Sequence, residues 1–249
     1  MSTYDSTFFD YLNAGALRSA RRILPVVREQ LSVSSVLDVG CGQGAWLSVW
    51  QELGTGAVLG IDGDYVDRSR LLIDQDLFQA RDLATGFDLG RRFDLVQSLE
   101  VAEHLPASSA ATFVASLTRH GDLVLFSAAP KGQGGDHHIN EQSYEYWRGL
   151  FREQGYRPVD LVRDLVKGDE LIEPWYRYNT MLYASQTGFT KLPPEVQDKA
   201  VPDQQPIRDV SPSLYRLRKR VIATLPVSAV TKLAKWKERA IARKLSASK

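Results

Sequence analysis

Cysteine is almost absent: the chain of 249 residues contains one, Cys41. No internal disulfide can form, and a reducing, cytoplasmic setting is expected. Long apolar runs are missing too. None nears the roughly 20 residues that a membrane span requires, and no basic-then-apolar leader opens the chain, so the expected protein is neither exported nor integral to a membrane. Histidine is scarce, with four residues in all, which makes their placing informative. What is present is an ordinary soluble composition, 43% hydrophobic and 24% charged, enough for one sizeable core plus an appendage.

The densest signal runs from Ser35 to Trp46, where a short apolar stretch meets glycines 40, 42 and 44 and then a helical pattern. Strand, tight turn and helix are expected here, because residues without Cβ let the backbone turn sharply and approach a ligand, while the helix offers free N–H groups at the same spot. Gly40, Gly42 and Ala45 also satisfy the loose dinucleotide pattern, so spacing does not select the cofactor. Asp38 favours a cationic ligand over a pyrophosphate, since a carboxylate before the first glycine would repel phosphate and accept hydrogen bonds from an ammonium group. Cys41, inside the turn, reads as a small buried filler.

Further strands are expected at Ala57–Asp62, Leu77–Leu83, Phe93–Leu99, Leu123–Ser127, Tyr156–Arg163 and Tyr178–Ser185, with helices over Ala45–Leu53, Pro106–Arg119 and Glu141–Gln154. Such alternation indicates an α/β, doubly wound, mostly parallel sheet of seven strands, with ligands at the strands' carboxyl ends. Asp62 closes the second strand about 20 residues beyond Gly40 and is placed to bind two ribose hydroxyls, with helix capping as its other reading. Asp64 is expected to cap the next segment. Asp82 ends the third strand and could equally cap a turn. Before the sheet, residues 4 to 14 carry Tyr4, Phe8, Phe9 and Tyr11, and Ala16–Leu31 reads as helical, with Pro25 expected to kink or interrupt it.

Three of the histidines fall in two segments at neighbouring strand ends, Glu100–Pro106 with Glu103 and His104, and Pro130–Asn140 with His137 and His138. Histidine is well matched to taking a proton from a hydroxyl near neutral pH. One of His137 and His138 should face the substrate, and His104 has a structural hydrogen bond as its alternative role.

Leu37–Gly44 resembles the first motif of the class I S-adenosylmethionine-dependent methyltransferases, over roughly residues 30 to 190. The resemblance implies a Rossmann-like methyltransferase fold and S-adenosyl-L-methionine as cofactor. Asp38, Gly40, Gly42, Gly44, Asp62 and Asp82 would hold it, Asp82 against the adenine amino group, with His104 and His138 as candidate catalytic bases and Glu103 orienting. Phe126–Pro130, Gly132–Gly135, His138–Gln142 and Tyr146-Trp147 form a run similar to bacterial polysaccharide and antibiotic-sugar O-methyltransferases. It implies methylation of a hydroxyl on a sugar or glycoconjugate, in polysaccharide biosynthesis. Tyr144, Trp175 and Tyr176 could stack on the sugar, and Tyr146 and Trp147 read as core. Glu100, Glu103 and His104 with a later histidine also resemble the divalent-ion ligand set of small-RNA 2′-O-methyltransferases. A metal-assisted reaction on an RNA-terminal or small-molecule hydroxyl therefore stays open. So do a dehydrogenase on the same sheet and a non-catalytic, membrane-recruited binding module.

The end of the chain is different. Residues 191–212 are rich in proline and read as an extended linker between a methyltransferase domain, 1–190, and a tail, 213–249. The tail holds 11 of the 31 basic residues and only one of the 30 acids, Glu238, so 20 bases face 29 acids in the body. Its apolar residues, Leu214, Leu217, Val221, Ile222 and Leu225, then Val230, Leu233, Trp236, Ile241 and Leu245, recur at helical spacing around Pro226. Peripheral attachment to the anionic inner membrane face is expected, ahead of nucleic acid, which the acidic body disfavours. Two helices docked on the domain are the alternative.

Overall fold

The apolar runs of the sequence become the strands of one seven-stranded sheet in the order β3-β2-β1-β4-β5-β7-β6. The computed structural model describes residues 3–226, 229–233 and 240, with backbone alone for 3–12. β1 (Ser35–Val39) lies between β2 (Ala57–Asp62) and β4 (Leu95–Leu99), with β3 (Phe78–Ala80) outside β2 and β5 (Leu123–Ser127) outside β4, all parallel. β7 (Met181–Ser185) runs antiparallel to both β5 and β6 (Tyr156–Val159). The central strands are buried along nearly their whole length, which is why they read as continuous apolar runs instead of alternating ones.

Helices cover both faces. On one, Ala20, Ile23, Leu24 and Val27 of α1 (Thr3–Gln30) pack with Leu47 and Trp50 of α2 (Ala45–Glu52). On the other, Phe113, Val114 and Leu117 of α3 (Ala110–His120) pack with Trp147 and Phe151 of α4 (Tyr144–Glu153), whose N-terminus is capped by Ser143. Pro25 sits inside α1 without ending it, so the interruption expected from the sequence does not occur. The fully buried Ile23, Leu24 and Val27 on either side supply the packing that outweighs one lost backbone hydrogen bond. Tyr4, Phe8, Phe9 and Tyr11 have side chains outside the described residues.

Short helices α5 (Arg163–Val166) and α6 (Pro174–Asn179) separate β6 from β7, and α7 (Gln186–Thr190) and α8 (Pro194–Gln197) follow it. The stretch 191–212 is not the extended linker expected from its prolines. Leu192, Val196, Ile207 and Ser211 are buried, and Val159 bridges to Ala200 beside the sheet edge. Two buried arginines hold it: Arg148 donates to the carbonyls of Val201, Pro202 and Gln205, and Arg163, paired with Asp160, donates to that of Arg208. Proline removes donors and leaves carbonyls free, and the buried guanidinium groups use them. The chain then enters α9 (Ser213–Ile222), which sits on the body. Trp236, Ile241 and Leu245 lie outside the described residues.

Candidate functional site

Two constructions meet at the carboxyl ends of the parallel strands. The first is the glycine turn between β1 and α2. Gly40, Gly42 and Gly44 have φ of +82°, +54° and +81°, a region that side chains disfavour. A Cβ at Gly40 would fall 2.3 Å from Val101, whereas one at Gly42 would meet nothing within 4 Å. The outer two glycines are therefore required by packing and the middle one faces open space. From β2, Asp62 accepts from Gly42 N (2.7 Å), Gly63 N (2.7 Å) and the hydroxyl of Tyr65 (2.5 Å), so the acid at the strand's end braces the turn while lying beside it. Asp38 is 3% exposed on β1 and its Oδ2 makes no hydrogen bond. Burial pushes its pKa up to about 8, against the nearby Gln97 amide and with help from the Asp62 charge.

These features fit S-adenosylmethionine. An orphaned buried carboxylate oxygen lacks the cationic donor that the ligand's ammonium would supply, and the open space at Gly42 lets the ligand approach backbone. Asp82, exposed just beyond β3 and next to Arg81, whose N donates to the Asp62 carbonyl, accepts from Ala84 N (2.9 Å), the turn-capping role that is its other reading. The capping role expected of Asp64 belongs to Asp67, which accepts from Ser69 N, and to Asp74. Cys41 is buried, as a filler would be.

The second construction brings the histidine segments together. Ile139 N and Asn140 N both donate to the Glu103 carbonyl at 3.0 Å, and Asn140 Nδ2 donates to that of Ala102. The loop after β5 is thereby laced to the turn after β4. Side chains of Glu103, His104 and His138 each offer a ligand atom within 4.8 Å of the others. His104 and His138 meet edge to face at 4.9 Å, and His104 Nδ1 lies 3.3 Å from the His137 carbonyl. Although part of the His104 ring is open to solvent, the surrounding protein and then His138 push its pKa down to about 4. It is neutral at physiological pH. Glu103 is fully buried and neither carboxylate oxygen has a hydrogen-bond partner; desolvation, then the charge of Glu100, pushes its pKa well up. His137 points away, 75% exposed at its side chain, beside Asp136.

Sequence reasoning passed over Glu141. Its carboxylate accepts from His138 Nδ1 at 2.9 Å and from the backbone of Gly132 and Gly134 at 2.7 Å each. It fixes the glycine loop and the imidazole together, and leaves His138 Nε2 as the acceptor nitrogen. The only signal in the sequence was an acid three residues after a histidine. Glu100, grouped with the ligand set at the sequence level, is not in this cluster. It takes a φ of +58° and accepts from Gln133 Nε2 (2.6 Å) and Asn179 Nδ2 (3.3 Å), while Asn179 also donates to Gln133 and accepts from Tyr144. Amide groups that can pair with Glu100 draw it away from the histidines.

Helix α1 ties the glycine turn to the segment before α6. Asn13 of α1 donates to Gln43 in the glycine turn, and Arg18 and Arg22 of the same helix pair with Glu173 and Asp169 of the segment before α6. On α6, Tyr176 packs edge-on against Trp46 at 5.0 Å, with Trp175 beside it. Trp147 is buried under Tyr146, as core.

Comparison with known proteins agrees with this architecture. A family model described as a methyltransferase domain matches residues 11–161, more than half of the chain. Among solved structures, DesVI of Streptomyces venezuelae aligns with a TM-score of 0.53 at 18% identity, over 74% of this chain and 99% of that one. The sugar N-methyltransferase KedS8 of Streptoalloteichus sp. ATCC 53650 aligns with 0.55 at 18% identity, over 71% and 92%. The small RNA methyltransferase HEN1 aligns with 0.50 at 17%, over 66% of this chain and 25% of that one. Comparison with curated proteins gives no match. At these identities the structures speak to fold, and the family model supplies the rest: the chain belongs to the methyltransferase-domain family and is a class I S-adenosylmethionine-dependent methyltransferase.

Proposed function

We propose that the protein methylates a hydroxyl of a sugar or glycoconjugate, with His138 as the base and Glu103 and His104 lining the acceptor site. The observation that carries this reading is the Glu141–His138 pair, a carboxylate holding an imidazole so that Nε2 is left to accept a proton. Bound S-adenosylmethionine supplies an electrophilic methyl on sulfonium, held through Asp38, the glycine turn and Asp62, with Asp82 assigned to the adenine side. The chain's own contribution is to place the acceptor oxygen in line and to remove its proton. A neutral His104, beside a Glu103 whose burial favours the uncharged acid, offers a hydrogen-bonding wall suited to a neutral polyol. The sugar-methyltransferase title of KedS8 supports the acceptor class, while its nitrogen target leaves oxygen as our choice.

A second reading is favoured by one observation, the two unpartnered oxygens of Glu103 facing two imidazoles. Two nitrogens and a carboxylate suit a divalent ion of the Mn or Fe kind, with Mg the harder alternative, and Glu141 on His138 Nδ1 is the outer partner such a ligand usually has. An ion there would hold adjacent hydroxyls of the acceptor, as on a terminal ribose. Turnover on a panel of nucleotide sugars, lipid-linked sugars and RNA oligonucleotides, read by mass spectrometry before and after exhaustive chelation, separates the two. Methylated sugar formed after chelation supports the metal-free reading. Methyl transfer only to nitrogen, or only to RNA with Mg or Mn restored, removes it.

A further inference from the structure

Helix α9 is seated on the body through Tyr215, Lys219 and Ile222, the last against the glycine loop at Gly134. Lys219 is 4% exposed and its ammonium pairs with Asp209 at 2.6 Å, Arg218 donates to the Gln133 carbonyl at 3.1 Å, and Tyr215 packs against Tyr178. The opposite face carries Leu214, 82% exposed, with Leu217 and Val221 also exposed; Leu225 and Leu233 continue the apolar exposure beyond it. Spacings of three and four residues put the first three on one stripe. An amphipathic helix docking on a protein in water ordinarily buries such a stripe and leaves its lysines outside. Here Lys219 is buried while this stripe stays outside, which leaves a ridge of large aliphatic side chains in solvent.

We propose that this outward face docks on an anionic lipid surface. Charge selects the occupant: the exposed Arg220 follows Leu217 on α9, the exposed Lys232 adjoins Leu233, and residues 213–249 hold 11 bases against one acid. An anionic leaflet offers negative charge for the bases and an apolar boundary for the leucines. A second copy of the chain would bring the same positive charge to the contact, and a nucleic acid would leave Leu214, Leu217 and Val221 in water. The seat is firm where it matters. A Cβ at Gly132 would fall 1.9 Å from the Lys219 carbonyl oxygen, so α9 rests directly on the glycine loop that Glu141 ties to His138. Docking therefore sets the acceptor side of the site at the lipid surface. That the acceptor sugar is itself carried on a lipid rests on the function proposed above; the docking does not.

The test is co-sedimentation of the full-length protein with vesicles of phosphatidylcholine, alone and with 30% phosphatidylglycerol (about the anionic content that attracts basic segments). Binding should be at least about tenfold stronger to the charged vesicles and should weaken in high salt. The triple variant Leu214→Ser/Leu217→Ser/Val221→Ser should lose about tenfold or more of it while keeping its circular dichroism and its affinity for S-adenosylmethionine. The double variant Arg220→Glu/Lys232→Glu should also weaken binding, and preserves the ridge if the triple variant misfolds. Equal binding by variants and native chain, binding indifferent to lipid charge, or none at all overturns the proposal. A dimer in light scattering that the triple variant dissolves, without vesicle binding, assigns the ridge to self-association instead. Vesicle binding with no methyl transfer to any sugar would sink the acceptor reading and leave the docking standing.

Discussion

The two sides of the proposed site, one assigned to the cofactor and the other to the acceptor, are built in opposite ways. The cofactor cradle is almost entirely local: Asp38 to Gly44 and Asp62 span 25 residues, and the three glycines shape it through backbone that cannot carry side chains. The acceptor side is assembled from afar, from residues 100–104, 133–141, 144 and 179, by side chains that meet only after the sheet has formed. A cradle of backbone tolerates change in the residues around it. A constellation of side chains depends on each partner and on the partners of those partners. Substitutions on the two sides should therefore separate cleanly, one class acting on cofactor affinity and the other on turnover.

The largest separation is expected at His138. His138→Ala should lower kcat by about 10²- to 10⁴-fold, the range for losing a positioned general base, with cofactor affinity unchanged. Glu141→Gln should lower kcat by about tenfold, since the loop loses its charged anchor while the imidazole remains. Single-turnover kinetics beside calorimetry would show it. A loss of cofactor affinity that matched the loss of rate would mean that the two sides are not separate.

On the cofactor side, Asp62→Ala should weaken S-adenosylmethionine binding by about 1.5–3 kcal/mol, the cost of lost hydrogen bonds to a charged group. The structure adds a contrast. Tyr65, 80% exposed, places its hydroxyl on Asp62 Oδ1, where a ligand hydroxyl would compete with it. Tyr65→Phe should then leave affinity unchanged or raise it by a few-fold, the opposite sign from its neighbour. Weakening by both variants would show that Tyr65 is a ligand contact and not a competitor.

What was legible in the sequence follows the same division. All seven strands fall within the expected stretches, the central ones closely because strands buried on both faces leave no choice of pattern, whereas β3 and β6 are shorter than expected and Tyr178 and Asn179 belong to α6. The glycine turn was legible because glycine at alternate positions has few other uses. Glu141 was not, since an acid near a histidine is common and its meaning lies in two backbone N–H groups that the loop turns toward it. Nor was the packing of 191–212, whose prolines read as an extended chain until the buried Arg148 and Arg163 are seen to hold its carbonyls. Arginine buried against backbone leaves no periodic mark. Pro25 misled for the converse reason, a local rule overridden by the packing of Ile23, Leu24 and Val27.

The sharpest test of the cradle reads the chemistry of one oxygen. Burial holds the Asp38 pKa at about 8 in the free protein, so at pH 7 the acid is mostly protonated and Oδ2 has no partner. An ammonium group bound there favours the ionised form, and the pKa must fall on binding. Each molecule of cofactor bound near pH 7 should therefore release close to one proton. The sign follows from linkage: the free protein holds the proton, the complex does not, so affinity rises with pH. The expected slope is about tenfold per pH unit between pH 5.5 and 7, below the range in which the ligand's own amino group titrates. Calorimetry in buffers of differing ionisation enthalpy measures the proton directly. Asp38→Asn, which keeps the shape and removes the titration, should bind more weakly and show no slope. The free fold carries the same signature, since an acid with a raised pKa stabilises the native state below about pH 4 and that contribution is lost as pH rises through 8. A flat affinity in the native protein, with no proton released, would mean that Asp38 is a structural acid that never meets the ammonium group, and the cradle would rest on the glycine turn and Asp62 alone.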